Sequence, residues 1–389
     1  MGAMKIPRLK HQLHSPIQRI HPPGSVHLQT NGCTPLVKTG DVVNAGALIA
    51  RSLPTGQAGA NAADVELRIH SPFTGWITSV THSHVGIEGD WPDIQIAATH
   101  NDPTGIEPDE IRERCRLAGI VGMGGAMTPT HIKLIPYCPI DTVLVNICES
   151  EPFLTCDHRV LTEHRHEVEG GLELAMIAVG AENGLIAPKQ NSYTSGYERF
   201  LVEETLGRKV PVNSRPTDVG ALVLNLQTVR ALYHAVFEQQ PLTQRVITVD
   251  GDAIKRPGNY LVPIGTSVGH ILQCCGWDEN ISKQLVTGGP MMGDIAGKNT
   301  SITAGTGGVF ALTSEQTAKV QNTPCIRCGM CLEACPLGLP AWQMERNPSP
   351  DLLACIACGV CQFVCPAQRP IVRNIQKAKV AFLQKTGSL

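Results

Sequence analysis

Cysteines dominate the chemistry that this sequence offers, and eight of its fifteen lie in one short stretch, from Cys325 to Cys365. They form two runs with the spacing C-x2-C-x2-C-x3-C-P, and the second run begins 30 residues after the first. Three thiolates at this spacing bind one face of a cubane iron–sulfur cluster. The sequence therefore predicts two [4Fe–4S] clusters, which pass single electrons.

The predicted ligand sets are crossed, because the fourth cysteine of each run binds the other cluster in two-cluster ferredoxins. The first cluster is assigned to Cys325, Cys328, Cys331 and Cys365. The second cluster is assigned to Cys355, Cys358, Cys361 and Cys335. Zinc is the alternative metal, but zinc sites usually show two C-x2-C pairs rather than runs that end in Cys-Pro.

A glycine-rich stretch is the second chemical signal. Gly119 to Lys133 reads GIVGMGGAMTPTHIK. Glycines let the backbone approach a phosphate closely, and a lysine adds charge. A glycine turn that packs a helix on a sheet explains the pattern equally well. However, the segment NICESE, residues 146–151, follows a predicted buried strand. Open α/β sheets bind ligands at the carboxyl ends of their strands, so this context favours a binding loop.

Four regions of different pattern must position these residues, which predicts a multidomain α/β protein. Residues 1–105 read as short strands broken by Gly and Pro and resemble a lipoyl-type barrel-sandwich β module without its attachment lysine. Strands alternate with helices over 106–241, which predicts a Rossmann-like α/β domain of the flavin and NADH type. Residues 242–315 resemble a β-grasp module of the SLBB type. Residues 316–389 carry the cysteines in a predicted two-cluster ferredoxin-like α domain.

Individual elements are predicted from apolar patterns within these regions. Strand 142–146, helices 163–178 and 226–237, a hairpin with a following helix over 246–272, and a basic amphipathic helix over 371–389 are expected. The last helix is predicted to rest on a partner or a membrane surface, with a solvated helix as the alternative.

Composition limits the classes of function. The chain has 389 residues, 42% hydrophobic and 17% charged, which suffices for several domains. A formal charge of −2 creates no field that attracts polyanions, so nucleic acid is not expected as a partner. No run of about 18 apolar residues occurs, so no transmembrane segment is expected, and the start does not read as a secretory signal. The other seven cysteines are expected to be small buried residues.

Taken together, the glycine loop, the NICESE segment and the double cysteine run resemble the RnfC family, the peripheral subunit of the membrane Rnf complex. A more distant resemblance is to the flavin-bearing subunit of respiratory complex I. The resemblance covers most of the chain and implies FMN in the glycine loop, NADH as electron donor, and two clusters that connect to other subunits and to a ferredoxin-like redox partner. It also implies a cytoplasmic protein, peripheral on the inner face of the cell membrane.

The resemblance assigns roles to eight residues by position. The phosphate and flavin cradle is expected at Gly122, Gly124, Gly125, Ala126 and Lys133. Flavin-ring and nicotinamide contacts are expected at Asn146, Glu149 and Glu151.

The match departs from the family at two adjacent positions. Met127 stands where the family has glycine, and Thr128 stands where it has an aromatic residue that faces the flavin or the nicotinamide. A methionine side chain at a position of close approach is expected to occupy room that the flavin ring needs. In a later family phrase, only Tyr193 and Gly196 are retained.

Two hypotheses of function follow. In the first, the chain is an NADH-oxidising flavin and iron–sulfur subunit of a translocase, in which the flavin converts a two-electron hydride into single electrons. In the second, it is a flavin-free relay and assembly subunit, and Met127 and Thr128 are the evidence for a decayed pocket. A cobalamin reductase with related modules is expected to have a different module order. A plain docking scaffold leaves eight regularly spaced cysteines unexplained.

Overall fold

The protein is described here by a computed structural model. The described residues are 15–30, 32–52, 65–92, 105–149, 151, 153–187, 196–212, 214–314, 323–347 and 349–386. Within them the chain is a mixed α/β protein with four β-sheets, followed by a group of helices that carries the cysteine runs.

The first region consists of short antiparallel strands. Alternation of buried and exposed residues along the second strand turns Val26 and Leu28 inward, where they pack with Ile49, Phe73 and Ile77. One sheet has the order β2-β8-β7-β4 and the other has the order β3-β5-β6. A short strand that belongs to another sheet, β1 (Gln18–Arg19), comes first in the chain. The strands of these two sheets are β2 (Ser25–Gln29), β3 (Thr34–Pro35), β4 (Val42–Val43), β5 (Leu48–Arg51), β6 (Arg68–His70), β7 (Thr74–Val80) and β8 (His84–Asp90).

The second region holds a three-stranded parallel sheet of order β10-β9-β11, covered by helices. In its register, Asn146 of the central strand lies between Ala187 and Asn225, so three strands end at one edge. The elements are α1 (Pro108–Leu117), α2 (Thr130–Lys133), β9 (Thr142–Asn146), α3 (Cys156–Glu163), α4 (Arg165–Val179), β10 (Asn183–Ala187), α5 (Glu198–Leu206), a 3-10 helix (Pro216–Val219), β11 (Ala221–Asn225) and α6 (Leu226–Phe237).

Two of the three elements predicted in this region are confirmed with their bounds, strand 142–146 and helix 226–237. The helix predicted over 163–178 is wrong at its start. Helix α3 ends at Glu163 and α4 begins at Arg165, because His164 has φ −126° and ψ 33°, which is not helical.

The third region holds a six-stranded mixed sheet of order β1-β13-β12-β16-β14-β15. The predicted hairpin and helix are confirmed, and the Ser267 side chain caps that helix by accepting a hydrogen bond from His270 N. Strand β1 reaches this sheet from the start of the described chain and pairs in parallel with β13. The elements are β12 (Gln244–Asp250), β13 (Gly258–Pro263), α7 (Val268–Cys274), β14 (Ser282–Thr287), β15 (Asp294–Ala296) and β16 (Gly308–Thr313).

The cysteine runs lie on short helices, and one longer helix covers them. The predicted basic helix is confirmed over 371–386, and its last three predicted residues lie outside the described ones. Across the described ranges, no helix combines the length and the apolar character that a bilayer span requires. The helices are α8 (Met330–Glu333), α9 (Ala341–Met344), α10 (Asp351–Ala354), α11 (Val360–Phe363) and α12 (Ile371–Thr386).

Candidate functional site

A cavity of about 340 Å³ opens at the carboxyl edge of the parallel sheet. Its walls are the glycine loop, the ends of β9 and β11, and the start of α5, a volume and position typical of small-molecule sites. Six of the eight residues predicted from the family resemblance line it. These are Gly122, Gly124, Ala126, Lys133, Asn146 and Glu149.

The glycine loop contributes Gly122, Gly124 and Ala126 to the cavity wall, whereas Gly125 does not line it. The loop closes on itself through Gly122 N to Thr128 O at 2.8 Å and Met127 N to Gly122 O at 3.2 Å. The amides of residues 124–126 have no hydrogen-bond partner among the described residues. Gly125 has φ 118°, which only glycine adopts without strain. Successive free amides in a turn bind anions, so the loop fits a phosphate.

Thr130, at the start of α2, adds a polar atom without a partner. Its hydroxyl is buried at the cavity wall and makes no hydrogen bond within the described residues. A buried hydroxyl left unpaired costs free energy, and a polar ligand group would restore the missing bond. Together with the free amides, this orphaned hydroxyl indicates that the cavity accommodates a polar ligand such as FMN.

Lys133 brings a positive charge to the cavity, but the charge is already partly neutralised. Its Nζ lies 3.0 Å from Glu198 Oε1 and donates to Val223 O at 3.3 Å. The two side chains are 32% and 46% exposed, so water weakens their attraction. Glu198 thus competes with any anion for Lys133.

Asn146 shapes the cavity rim rather than standing free in it. Its side-chain amide donates to Gly196 O at 2.8 Å, and its carbonyl oxygen accepts from Cys148 N at 3.0 Å. Of the two family residues retained in the later phrase, Gly196 therefore lies on the wall, whereas Tyr193 is outside the described residues.

Glu149 belongs to a buried acidic group behind the cavity. Its Oε1 accepts from His158 N at 3.0 Å, and the Cys156 thiol lies 3.7 Å from its Oε2. Complete burial, together with the neighbouring carboxylate of Asp157, raises the pKa of Glu149 well above its usual value. Burial at the cavity wall therefore favours the neutral form of Glu149.

Asp157 of this group is held by amide donors that the sequence interpretation missed. Asn225 Nδ2 and Gln227 Nε2 each donate to it at 2.7 Å, and the buried Arg245 interacts electrostatically with it. Asn225 ends a buried parallel strand and lines the cavity, as Asn146 does. The same signal, a polar residue at the end of a buried strand, predicts Asn225 as well.

Glu151 lies away from the cavity, unlike the other predicted contacts. Its carboxylate is buried and accepts from Met291 N at 2.8 Å and Met292 N at 2.7 Å. Burial raises the pKa of Glu151, and these backbone donors oppose the rise. Glu151 therefore anchors the loop over 288–293 of the third region instead of lining the cavity.

Met127 also points away from the cavity, which corrects the expectation that it fills the flavin space. Its φ is 50°, and a β-carbon on Gly305 would lie 2.9 Å from its Cγ. The side chain lines a second cavity, which also contacts His70 and Ile302. Thr128 does line the first cavity and is exposed there. Of the two departures from the family, only Thr128 thus affects the cavity wall.

The cysteine runs form two further cavities, each lined by four thiols. One is lined by Cys325, Cys328, Cys331 and Cys365. The other is lined by Cys335, Cys355, Cys358 and Cys361. We call these the outer site and the inner site, because the first contains the exposed Cys328 and the second faces the rest of the protein.

Both cysteine sites fit a cubane cluster by the chemistry of their donors. Four thiols around one small cavity are the ligand set of a [4Fe–4S] cluster, and all eight are free thiols. In each run the loop amide two residues after the first cysteine, at Arg327 and at Ala357, lies 3.4 Å from that cysteine's Sγ. Such amides stabilise the negative charge of bound thiolates.

The inner site is attached to the second and third regions. The ring of Phe363 packs against Phe153 with centroids 5.7 Å apart, and both join a cluster with Val286 and Phe310. Met292, in the loop that Glu151 anchors, covers Gly359 so closely that a β-carbon there would collide with its Sδ. Contacts from both regions therefore converge on the inner site.

Comparisons with known proteins identify two of the regions. The family model of the Nuo51 FMN-binding domain matches residues 115–192, which include the glycine loop and Glu149. The SLBB domain model matches residues 246–294, which include the loop with Met292. The NAD+-reducing [NiFe]-hydrogenase in its H2-reduced state shares the fold over 72% of this chain and 63% of its own, with a TM-score of 0.50 and 18% identity.

Three curated relatives are more similar to the chain in sequence. The C component of the ion-translocating oxidoreductase complex of Rhodobacter capsulatus is 33% identical over 80% of this chain, and the match spans 66% of that relative. The C component of the Na(+)-translocating ferredoxin:NAD(+) oxidoreductase complex of Acetobacterium woodii is 32% identical over 82% of this chain and 78% of its own length. The cobalamin reductase PduS of Citrobacter freundii is 34% identical over 60% of this chain and 59% of its own length.

Proposed function

The chain belongs to the RnfC family, whose members are components of ion-translocating oxidoreductase complexes. From this membership we propose that the chain transfers electrons between a nicotinamide nucleotide and partner subunits. Its partners are the other subunits of an Rnf-type membrane complex and a ferredoxin-like redox protein. It lies on the cytoplasmic side of the membrane as a peripheral subunit.

One observation carries the proposal. Eight thiols line two separate cavities in groups of four, and Phe363, two residues after the inner-site ligand Cys361, packs against Phe153 in the region that matches an FMN-binding domain. Cysteines that bind no common ligand have no reason to lie four around one cavity. The ligand sets that we propose are Cys325, Cys328, Cys331 and Cys365 for one cluster, and Cys335, Cys355, Cys358 and Cys361 for the other.

The cavity at the sheet edge is the proposed FMN site. FMN, when bound, accepts the two electrons of a hydride and releases them singly, which cubane clusters require. The amides of residues 124–126 bind the phosphate, with Lys133 and the Thr130 hydroxyl as further donors. Asn146 fixes the rim by holding Gly196, and the buried Glu149 contributes a carboxyl group with a raised pKa to the wall.

The domain division that goes with this function has four parts. We propose a barrel-sandwich module over 1–105, the flavin-type domain over 106–241, the SLBB module over 242–315 and a two-cluster ferredoxin-like domain over 316–389. The two small antiparallel sheets, the parallel sheet, the six-stranded sheet and the short helices support this order.

Cofactor content tests the proposal. Protein purified without oxygen should contain about eight iron and eight acid-labile sulfide per chain, and acid extraction should release one FMN. Lys133→Ala should weaken FMN binding about ten-fold to a hundred-fold by removing a charge-assisted contact. Lys209→Ala, an exposed lysine outside the cavity wall, is the control. Four irons or fewer in reconstituted protein would contradict the cluster assignment.

A flavin-free relay subunit is the second candidate, because Glu198 places an acid beside Lys133 where a phosphate would bind. In that case the purified protein is brown from iron–sulfur absorption and releases no flavin. Glu198→Gln then provides the decisive variant. If it binds FMN under saturating conditions and the parent does not, Glu198 has closed the site.

A further inference from the structure

The loops of the two cysteine sites repeat each other in backbone conformation. Arg327 and Ala357 occupy the same repeat position with φ of 55° and 53°. Gly329 and Gly359 follow with φ of 82° and 85°. A one-turn helix of four residues comes next in each run. The backbone therefore provides no reason for bound clusters to differ.

The side chains at equivalent positions differ in charge. The outer site carries Arg327 where the inner site carries Ala357. Four residues after the last cysteine of each run, the chain again lines a site wall, with Arg369 at the outer site and Leu339 at the inner one. Two cationic side chains thus line the outer site. No cationic side chain lines the inner site, but Lys379 lies beside it and donates to Cys355 O at 3.3 Å.

The two arginines keep their charge near the outer site in different ways. Arg369 pairs with Glu345 at 2.6 Å, but its Nε is buried and has no hydrogen-bond partner among the described residues. Arg327 is exposed and has no ion-pair partner there. The positive charge of Arg327 is therefore uncompensated by the protein.

Contact with water differs in the same direction. Ile326 of the outer loop is 62% exposed, and Cys328 is exposed. At the inner site Cys358 is buried, and Met292 covers the adjacent Gly359. The first loop of the outer site is therefore more exposed to water than that of the inner site, and it carries a cation, Arg327, that no acidic side chain pairs with in the described part of the chain.

We propose that the outer site holds the more easily reduced cluster, so that a single electron added to the oxidised protein resides at Cys325, Cys328, Cys331 and Cys365. Adding an electron increases the negative charge of a thiolate-ligated cluster. Nearby cations and water stabilise that charge, whereas an apolar wall does not. The proposal rests on the proposed function, since it requires clusters in both sites.

Exchanging the loop residues tests the proposal on the full chain. Arg327→Ala and Ala357→Arg swap the charge between positions of equal φ, so neither variant introduces new backbone strain. Potentiometric titration followed by electron paramagnetic resonance should resolve two midpoint potentials in the parent. Arg327→Ala should lower the higher midpoint and leave the lower one in place. Ala357→Arg should raise the lower midpoint only.

The contrary results are distinct. If Arg327→Ala moves the lower midpoint, if Ala357→Arg moves the higher one, or if neither variant moves any midpoint, the proposal is overturned. Iron and sulfide analysis of the same samples separates these results from a failure of the proposed function, which would appear as missing clusters. Higher ionic strength should also reduce the difference between the two midpoint potentials, because salt screens the charge of the exposed Arg327.

Discussion

In the outer site and in the inner site, the chain makes the same turn with different neighbours. Leu332 N donates to Gly329 O at 2.9 Å in the first run, and Gln362 N donates to Gly359 O at 3.0 Å in the second. A β-carbon on Gly329 would meet no atom within 4 Å, whereas one on Gly359 would collide with Met292. The repeat therefore determines the loop but not its surroundings.

This difference shows that the position of the thiols and the environment of each site have separate causes. The spacing of the cysteines and the glycine after the second one set the positions of the thiols, and they are the same in both runs. Packing against Phe153 and Met292, and the charges of Arg327 and Arg369, come from outside the repeat or from its variable positions. A cluster bound in either site would share its ligand chemistry but not its dielectric environment.

Replacing the fourth cysteine of a run, which lines the site of the other run, should produce the largest change in cluster content. Cys335→Ser removes a thiol from the inner site, although Cys335 belongs to the first run. The expected result is loss of the inner cluster, about four irons, while the outer signal remains. Electron paramagnetic resonance with iron analysis measures both. Cys365→Ser should give the reciprocal result, and damage confined to the outer site in Cys335→Ser would show sequential ligand sets.

The Arg369–Glu345 pair should give the next largest effect, and only at the outer site. The Glu345 side chain is 2% exposed and also accepts from Asn374 Nδ2 at 2.8 Å. Arg369→Leu leaves the carboxylate of Glu345 buried without a counter-ion, which costs about 3–5 kcal/mol of the free energy of unfolding. Urea unfolding followed by cluster absorption measures the loss. Adding Glu345→Met should recover most of it, and a loss that persists in the double variant would mean that the ion pair is not its cause.

The sequence predicted elements whose signal is local. The central strand 142–146 is a continuous apolar run, and the grouping of cysteines follows from a spacing that leaves little freedom. The cavity at the sheet edge is predictable for the same reason, because Asn146 and Asn225 end neighbouring parallel strands.

Residues whose role depends on distant contacts were not predictable. Glu151 lies two positions after Glu149, yet it turns to the loop at Met291, 140 residues further along the chain. Met127 has a positive φ and its side chain lies against Gly305, and no pattern in the sequence reveals either feature. Arg369 becomes an outer-site residue only when the fourth cysteine of its run crosses over.

Glu151 provides a test of the inner-site contacts. Glu151→Gln replaces one of the two carboxylate oxygens by an NH2 group, which cannot accept from a backbone N–H, at a cost of about 1.5–3 kcal/mol. Hydrogen exchange of the Met291 and Met292 amides should accelerate accordingly, since local opening becomes easier. Glu333→Gln, an exposed change in the outer run, is the control. Unchanged exchange in Glu151→Gln would remove Glu151 as the anchor of this loop.

The smallest effect is expected from the comparison of Gly329→Ala with Gly359→Ala, in which the two variants are closely matched. Both residues have nearly the same positive φ, so the left-handed conformation should cost each variant about 1–2 kcal/mol. Only the new β-carbon at Gly359 displaces Met292, whose sulfur is the movable part of a partly exposed side chain. The extra cost should therefore be near 1 kcal/mol, at the low end for overpacking. Urea midpoints followed by cluster absorption measure both losses.

Met292→Ala should remove the extra cost at Gly359 and leave the cost at Gly329 unchanged. Equal losses in the two glycine variants, before and after Met292→Ala, would mean that Met292 does not constrain the inner loop and that the two sites differ by charge alone.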